Sequence, residues 1–178
     1  MTESKRQAWG FSLFADDIRA EIGGKLSVLG IYQSEMVFAS NTEFPFVYPK
    51  FCILLKYYET KDAFSEAITA RIFLPGDPKD SPSLILPFDA AVRNPPNAPA
   101  PPPMEEDQER IFNFNFPIVL SPFVIKQEGY VKVRIITGTT TTNLGSLMIR
   151  KARPEEILQF STFPALPFPQ PPPPAEGA

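Results

Sequence analysis

The feature that most constrains the fold is the stretch of residues 11–32, which reads FSLFADDIRAEIGGKLSVLGIY. It contains two apolar runs, residues 11–18 and 26–32, joined by a charged segment at residues 21–25. Gly23 and Gly24 lie in that segment, and glycine adopts the positive φ angles of a tight turn without steric cost. The stretch therefore predicts a β-hairpin, and Gly30 in its second run predicts a β-bulge.

The later apolar runs are short, and turn residues separate them. Residues 51–58 are apolar on both faces, which is typical of a central strand covered on two sides. Residues 111–116 alternate phenylalanine with asparagine, the period of a strand with one buried face. About seven to nine strands of this kind predict an all-β fold, an antiparallel β-sandwich of immunoglobulin or C2-like type. Pro154 followed by two glutamates predicts one short helix near the C-terminus.

Proline marks the domain boundaries, since 22 of the 178 residues are proline. We expect an N-terminal arm at residues 1–10 and one β-sandwich domain at residues 11–160, with a proline-rich loop at 94–108. Residues 161–178 form a proline-rich C-terminal tail, in which the apolar side chains Phe163, Leu166 and Phe168 lie among prolines. Polyproline II segments dock in aromatic-lined grooves, so the tail is a candidate interaction arm. The alternative is a disordered, solubilising terminus.

The composition excludes several function classes. The chain has no histidine and one cysteine, so Ser-His-Asp catalysis and zinc sites built from several Cys or His ligands are excluded. A net charge of −3 argues against a nucleic-acid partner. No apolar run approaches the roughly 20 residues of a membrane helix, so we expect no membrane partner. The single cysteine cannot form an internal disulfide, which favours a reducing, cytoplasmic location. No cofactor is expected.

Two further candidates have ordinary structural interpretations. Cys52 lies in the most apolar run, where a thiol is normally a small buried hydrophobic group rather than a nucleophile. The acids at positions 16–17, 62, 77 and 80 could meet in end loops and hold Ca²⁺, as in C2-like domains. A site for this ion needs six or more oxygen ligands, and acids beside Pro and Gly are ordinary turn residues.

The polar residues of the leading hairpin form a candidate cluster, which consists of Asp16, Asp17, Arg19, Lys25 and Tyr32. One interpretation is a functional polar site beside the tyrosine. The other is a set of cross-strand charge pairs that fix the hairpin register, each worth less than about 1 kcal/mol when exposed. The sequence favours the second interpretation.

Two segments of the hairpin, LFADDIR at residues 13–19 and GKLSVLGIY at residues 24–32, also carry a family resemblance. They resemble the opening of an uncharacterised bacterial family of small all-β proteins, a domain of unknown function. Its members begin with a Cys/Ala-Asp-x-hydrophobic-Arg segment, followed by Gly-Lys-Leu-x, two hydrophobic residues, Gly, a hydrophobic residue and Tyr or Phe. The resemblance implies a β fold and no particular activity.

The sequence therefore predicts a non-enzymatic module that mediates protein–protein interaction or serves as a structural subunit of a larger assembly. A protein partner or self-association is expected from the proline-rich segments and from the edge strands that a sandwich exposes. The alternative is a ligand-binding sandwich that holds a divalent cation or a saccharide in its end loops.

Overall fold

The computed structural model describes residues 8–60, 64–65, 67–89 and 111–156. These residues form eleven β-strands and no helix, which confirms the all-β class. The strands are β1 (Ala8–Ala20), β2 (Leu26–Tyr32), β3 (Glu35–Phe38), β4 (Phe46–Tyr48), β5 (Phe51–Thr60), β6 (Ile68–Phe73), β7 (Leu84–Phe88), β8 (Ile111–Leu120), β9 (Phe123–Ile125), β10 (Gly129–Thr137) and β11 (Thr140–Lys151).

The strands form three sheets. The four-stranded sheet has the order β2-β1-β5-β8, the five-stranded sheet the order β3-β11-β10-β6-β7, and β4 pairs with β9 in a small two-stranded sheet. All pairs are antiparallel except β3 with β11, which run parallel. The prediction of an antiparallel fold is therefore wrong at this edge, where β3 pairs with a strand more than 100 residues further along the chain.

The inward side chains of the two larger sheets belong to one hydrophobic cluster. Phe51, Ile53 and Leu55 of β5 enter it from the four-stranded sheet, while Val131, Val133 and Ile135 of β10 enter it from the five-stranded sheet. The alternation expected for residues 111–116 is confirmed, because Phe114 is buried while its asparagine neighbours are exposed. Burial of these apolar faces is the main stabilising term of the fold.

The leading hairpin is confirmed. β1 and β2 pair antiparallel, the Glu21 amide donates to the Lys25 carbonyl at 2.8 Å, and Gly23 and Gly24 have φ angles of 81° and 72°. β1 begins at Ala8 and pairs with β5 before it pairs with β2. This long first strand therefore connects the hairpin to the centre of the four-stranded sheet.

The end of the hairpin lies over the outward face of the four-stranded sheet. Leu26 and Val28 of β2 line one groove together with Leu13 and Leu54, and the Cys52 thiol lies 3.7 Å from the Asp16 carbonyl oxygen. This cover explains why β5 is buried on both faces, as its sequence predicts: Cys52 and Leu54 point outward from the core and are still buried.

Two details of the strand prediction are wrong. The count of seven to nine strands is too low, because β3, β4 and β9 have only three or four residues and show no recognisable period. Gly30 is not a bulge: the pairs Ala15–Ile31 and Asp17–Leu29 keep one register across it. The register shift lies instead between Val133 and Arg134, opposite β11.

The expected C-terminal helix is not found in the described residues. Residues 154–156 form a turn, closed by a hydrogen bond from the Glu156 amide to the Arg153 carbonyl at 3.0 Å. The Glu156 carboxylate folds back onto Arg150, at 2.7 Å and 2.8 Å, instead of starting a helix. The remainder of that segment, the loop at 94–108 and the tail at 161–178 lie outside the described residues. The described chain contains no helix of a length and apolarity that could cross a membrane.

Candidate functional site

The predicted polar cluster of the hairpin divides into two groups on opposite sides of β1. Asp16 points to the same side as Phe14, and its Oδ1 accepts hydrogen bonds from the Tyr32 hydroxyl and, at 3.1 Å, from the Tyr48 hydroxyl. The two hydroxyls lie 3.2 Å apart. Because Phe14 faces the core, this carboxylate sits at the rim of the hydrophobic cluster. We call Asp16, Tyr32 and Tyr48 the tyrosine–aspartate cluster.

Burial is the main reason that the pKa of Tyr32 lies above its ordinary value, and its hydrogen bond with Asp16 adds to the effect. The hydroxyl therefore stays protonated and donates to the carboxylate. Gly30 completes the arrangement, because a Cβ at this position would lie 2.1 Å from Asp16 Oδ2. Its φ of 66° also belongs to the left-handed region that favours glycine. The glycine is thus required by the neighbouring carboxylate.

The second group lies on the other side of β1 and is an ion-pair network. Asp17 accepts hydrogen bonds from the Lys50 ammonium and, at 2.7 Å, from the Arg19 guanidinium. These bonds, that of Lys50 above all, lower the pKa of Asp17 to about 2. Lys25, the fifth predicted member, is exposed, and its side chain makes no hydrogen bond or ion pair with a described residue.

This arrangement suits a structural role better than a chemical one. Within the described residues, Asp16 and Asp17 have donors on their oxygens, and no group of three His, Cys, Asp or Glu side chains is placed to hold a metal ion. Cys52 is buried, and burial raises the pKa of its thiol, which disfavours the reactive thiolate.

The acids considered as end-loop calcium ligands do not converge in the described chain. Asp77 closes its own turn: its oxygens accept hydrogen bonds from the Leu74 amide at 2.8 Å, the Ser83 amide at 2.7 Å and the Ser83 hydroxyl at 2.8 Å. Asp62 lies outside the described residues. The calcium alternative therefore receives no support from the described geometry.

The leading hairpin also carries a concentration of exposed apolar side chains. Eleven large apolar side chains are exposed in the described residues, and five of them lie on β1, β2 and their turn. We call these five the hairpin surface: Phe11, Ile22, Leu26, Leu29 and Ile31. Beside it runs the groove between the hairpin end and the sheet, of about 350 Å³. A concentration of exposed apolar side chains on one element makes the hairpin surface a candidate interaction surface.

Sequence reasoning found the hairpin residues but missed their partners. Tyr48 and Lys50 lie 32 and 33 residues after the aspartates that they bind, and both precede the start of β5. No local period signals that approach, which depends on the pairing of β1 with β5. The candidate arm residues Phe163, Leu166 and Phe168 lie outside the described residues.

Comparison with protein-family models, with curated proteins and with solved structures gives no match. The resemblance to a bacterial family stays a prediction, and the interpretation of the surfaces depends on their own geometry.

Proposed function

We propose that this chain is a non-enzymatic, cytoplasmic β-sandwich of immunoglobulin or C2-like type that works by protein–protein contact. It either mediates an interaction or serves as a structural subunit of a larger assembly. The observation that carries the proposal is the hairpin surface, where nearly half of the exposed large apolar side chains of the described chain belong to one element.

The energetic argument starts from the cost of this exposure. Leu29 and Ile31 are 43% and 51% exposed, and Ile22 at the turn is 97% exposed. Single exposed apolar residues are common, but several on one hairpin offer apolar area whose burial in a contact would stabilise a complex. The charged neighbours Asp17, Lys50 and Arg19 satisfy one another, so a partner does not have to supply opposite charge.

The edge strand β8 adds a second feature that suits an assembly. It pairs with β5 over all ten residues, and in the described structure its other edge has no partner strand. Its outward side chains Ile111 and Val119 are 49% and 50% exposed. An unpaired edge with apolar outward side chains is a surface for strand addition.

The test compares a double substitution on the hairpin surface with a single substitution of an exposed apolar residue elsewhere. The variant Leu29→Ser/Ile31→Ser changes the hairpin surface, and Ile85→Ser, which is 57% exposed on β7, is the control in the other sheet. We expect the wild type and the control to show concentration-dependent mass in sedimentation equilibrium or to retain a partner in pull-down, and the hairpin variant to lose it. If all three proteins behave alike at about 100 µM, the hairpin surface is not a contact surface.

The C-terminal tail is the second part of the proposal, supported by its sequence. Its prolines with Phe163, Leu166 and Phe168 suit an arm that lies on a neighbouring subunit or partner. Deletion of residues 164–178 is expected to lower the oligomeric mass or to reduce partner retention, while the melting temperature of the domain stays unchanged. Unchanged mass and unchanged retention would contradict the arm.

A further inference from the structure

The outward face of the five-stranded sheet carries four cations that the sequence analysis did not recognise as a group. Arg71 lies on β6, Lys132 and Arg134 lie on β10, and Lys79 lies in the loop after β6. Arg71 and Arg134 are directly opposite each other in the register of β6 and β10. Like charges at directly opposite positions destabilise a sheet, so this pair needs an explanation. We call these four residues the basic face.

The described structure offers the two arginines no anion. Neither guanidinium makes a hydrogen bond or ion pair with a described residue, and the buried Nε of Arg71 has no acceptor. By contrast, Arg150 on the same sheet holds two carboxylates, those of Glu35 and Glu156. The lack of compensation is therefore specific to the basic face and is not a general property of this surface.

Aromatic rings support these cations. The Arg134 guanidinium lies 4.7 Å from the centre of the Phe73 ring, and the Lys132 ammonium lies 5.9 Å from that of Tyr130. A cation stacked on a ring keeps its outer donors free for a ligand. The register shift between β10 and β11 lies beside Arg134, with Leu144 of β11 as the extra residue.

Two shallow grooves flank β10 at this point. One, of about 290 Å³, is lined by Phe73, Asp77 and Lys79 together with the β10 side chains. The other, of about 350 Å³, is lined by Asn143, Gly145 and Ser146 of β11 with the same β10 side chains. A Cβ at Gly145 would have no atom within 4 Å, so this groove is open. Arg134 lines both grooves, and Arg71 lies opposite it on β6. Volumes of this size suit a small ligand.

Among the described residues that line the grooves, Asp77 is the one carboxylate, and the hydrogen bonds of its own turn already occupy it. Partial burial acts to raise its pKa, but the hydrogen bonds from Leu74 and Ser83 outweigh this and leave the pKa below its ordinary value. Asp77 therefore stays anionic and orders the loop that presents Lys79. The described residues of the face and its grooves therefore include four cations and one anion, on a chain whose net charge is −3.

We propose that the basic face is a binding site for a small, multiply charged oxyanion of the phosphate class, held between Arg71 and Arg134 with Lys132 and Lys79 at its rim. Two guanidinium groups on adjacent strands present planar donor pairs, the geometry that phosphate oxygens accept best. The bound anion removes the repulsion between the two arginines. A nucleoside monophosphate would add stacking on the exposed ring of Tyr130.

The experiment titrates the ¹⁵N-labelled full chain with pyrophosphate, with inorganic phosphate and with adenosine monophosphate at fixed ionic strength. We expect saturable shifts of the Lys132, Gly145 and Ser146 amides, and at least about tenfold weaker binding in Arg134→Gln and in Arg71→Gln. Arg19→Gln, which removes an exposed arginine of the other sheet, is the matched control and should bind as the wild type does. Tighter binding of adenosine monophosphate than of inorganic phosphate would identify the ligand as a phosphate group attached to a nucleoside. Equal or weaker binding would identify it as the free anion.

Three results would overturn the proposal. The first is no saturable shift in the wild type up to about 20 mM of any probe, since a site with two arginines must exceed this affinity. The second is equal loss of binding in the control Arg19→Gln, which would show general charge attraction. The third is an unchanged affinity in both basic-face variants. Melting temperatures identify a variant that fails to fold. If one of the two arginine variants does not fold, the other still tests the site.

Discussion

The hairpin region of the four-stranded sheet and the basic face of the five-stranded sheet both place charged side chains on β-strands, but they treat the charges differently. At the hairpin, Asp16 and Asp17 receive hydrogen bonds from tyrosine hydroxyls and from cations. On the basic face, Arg71 and Arg134 oppose each other without an acid in the described structure. Compensated charges stabilise the fold, whereas uncompensated charges lower stability unless a ligand supplies the missing partner.

The two regions also suit different proposed functions. The hairpin contributes apolar surface, and its internal charge pairs leave it suited to contact with a protein. The basic face has grooves, aromatic rings and free donors, which suit a small anion. The two proposals are independent, because they depend on different sheets and predict effects of different variants.

The largest expected effect is that of Gly30→Ala in the tyrosine–aspartate cluster. The new Cβ would collide with the Asp16 carboxylate and would occupy a left-handed conformation. We expect a loss of about 3 kcal/mol in the free energy of unfolding, the sum of backbone strain and weakened hydrogen bonds to a carboxylate. Urea denaturation measures it.

Gly24→Ala is the matched control, since Gly24 has a similar φ of 72° but no atom within 4 Å of the added Cβ. It should cost only the strain, about 1 kcal/mol. Equal losses in the two variants would show that the carboxylate yields easily and that the cluster is not a rigid structural unit.

A smaller loss is expected from Tyr48→Phe. The variant removes one hydroxyl donor from Asp16 and keeps the ring and the donor of Tyr32, so we expect a loss of about 1–2 kcal/mol. Tyr130→Phe is the control, because its ring is 51% exposed and its hydroxyl has no hydrogen bond in the described structure. If Tyr48→Phe is as stable as this control, the hydrogen bond from Tyr48 to Asp16 does not contribute to the stability of the fold.

The hairpin region also shows how far a single sequence predicts such a site. The turn at Gly23–Gly24 and the alternating strands were predictable, because glycine and the period of two are local signals. Asp16, Asp17, Arg19 and Tyr32 could be named for the same reason. Their grouping into two clusters could not, since it depends on which side of β1 each side chain takes and on Tyr48 and Lys50 from the region before β5.

Non-local pairing explains the other errors. The alternation of Lys132 and Arg134 along β10 was visible, as was the outward position of Arg71, but only the register of β6 against β10 places them together. The parallel β3–β11 pair and the short strands depend in the same way on tertiary context. Gly30 resembled a bulge because the local pattern does not show that a carboxylate from β1 occupies the space of its side chain.

The ion pair of the hairpin predicts a pH effect that Asp17→Asn removes. The hydrogen bond from Lys50 is the main cause, and that from Arg19 the second, of the lowered pKa of Asp17, which falls from 3.8 to about 2 in the folded protein. A lowered folded pKa contributes stability above pH 4, which is lost as the pH falls from about 4 to about 2. The melting temperature of the wild type should therefore exceed that of Asp17→Asn above pH 4, and the two should converge near pH 2.

Lys50→Gln tests the cause of that effect. Without the ammonium the pKa of Asp17 lies closer to its ordinary value. The melting temperatures of Lys50→Gln and of the double variant Lys50→Gln/Asp17→Asn should therefore differ less, and with less dependence on pH, than those of the wild type and Asp17→Asn. The effect should also shrink at high salt, since the pair is partly exposed. A pH dependence that Lys50→Gln leaves unchanged would assign the lowered pKa of Asp17 to Arg19 and not to Lys50.

The smallest expected effect is that of Arg71→Gln on the basic face, which we compare with Arg150→Gln on the same sheet. Arg150→Gln removes the cation that holds Glu35 and Glu156, so it should lower the melting temperature at pH 7. Arg71→Gln removes a charge that lies opposite Arg134 on β10 and opposite the uncharged Ile85 on β7, so we expect a change below about 0.5 kcal/mol or a gain in stability. A repulsive pair that does not stabilise the fold is consistent with the proposed role in anion binding. If Arg71→Gln instead destabilises the chain as much as Arg150→Gln does, Arg71 is a structural residue with a partner that the fold supplies, and the contrast between the compensated hairpin and the uncompensated basic face is lost.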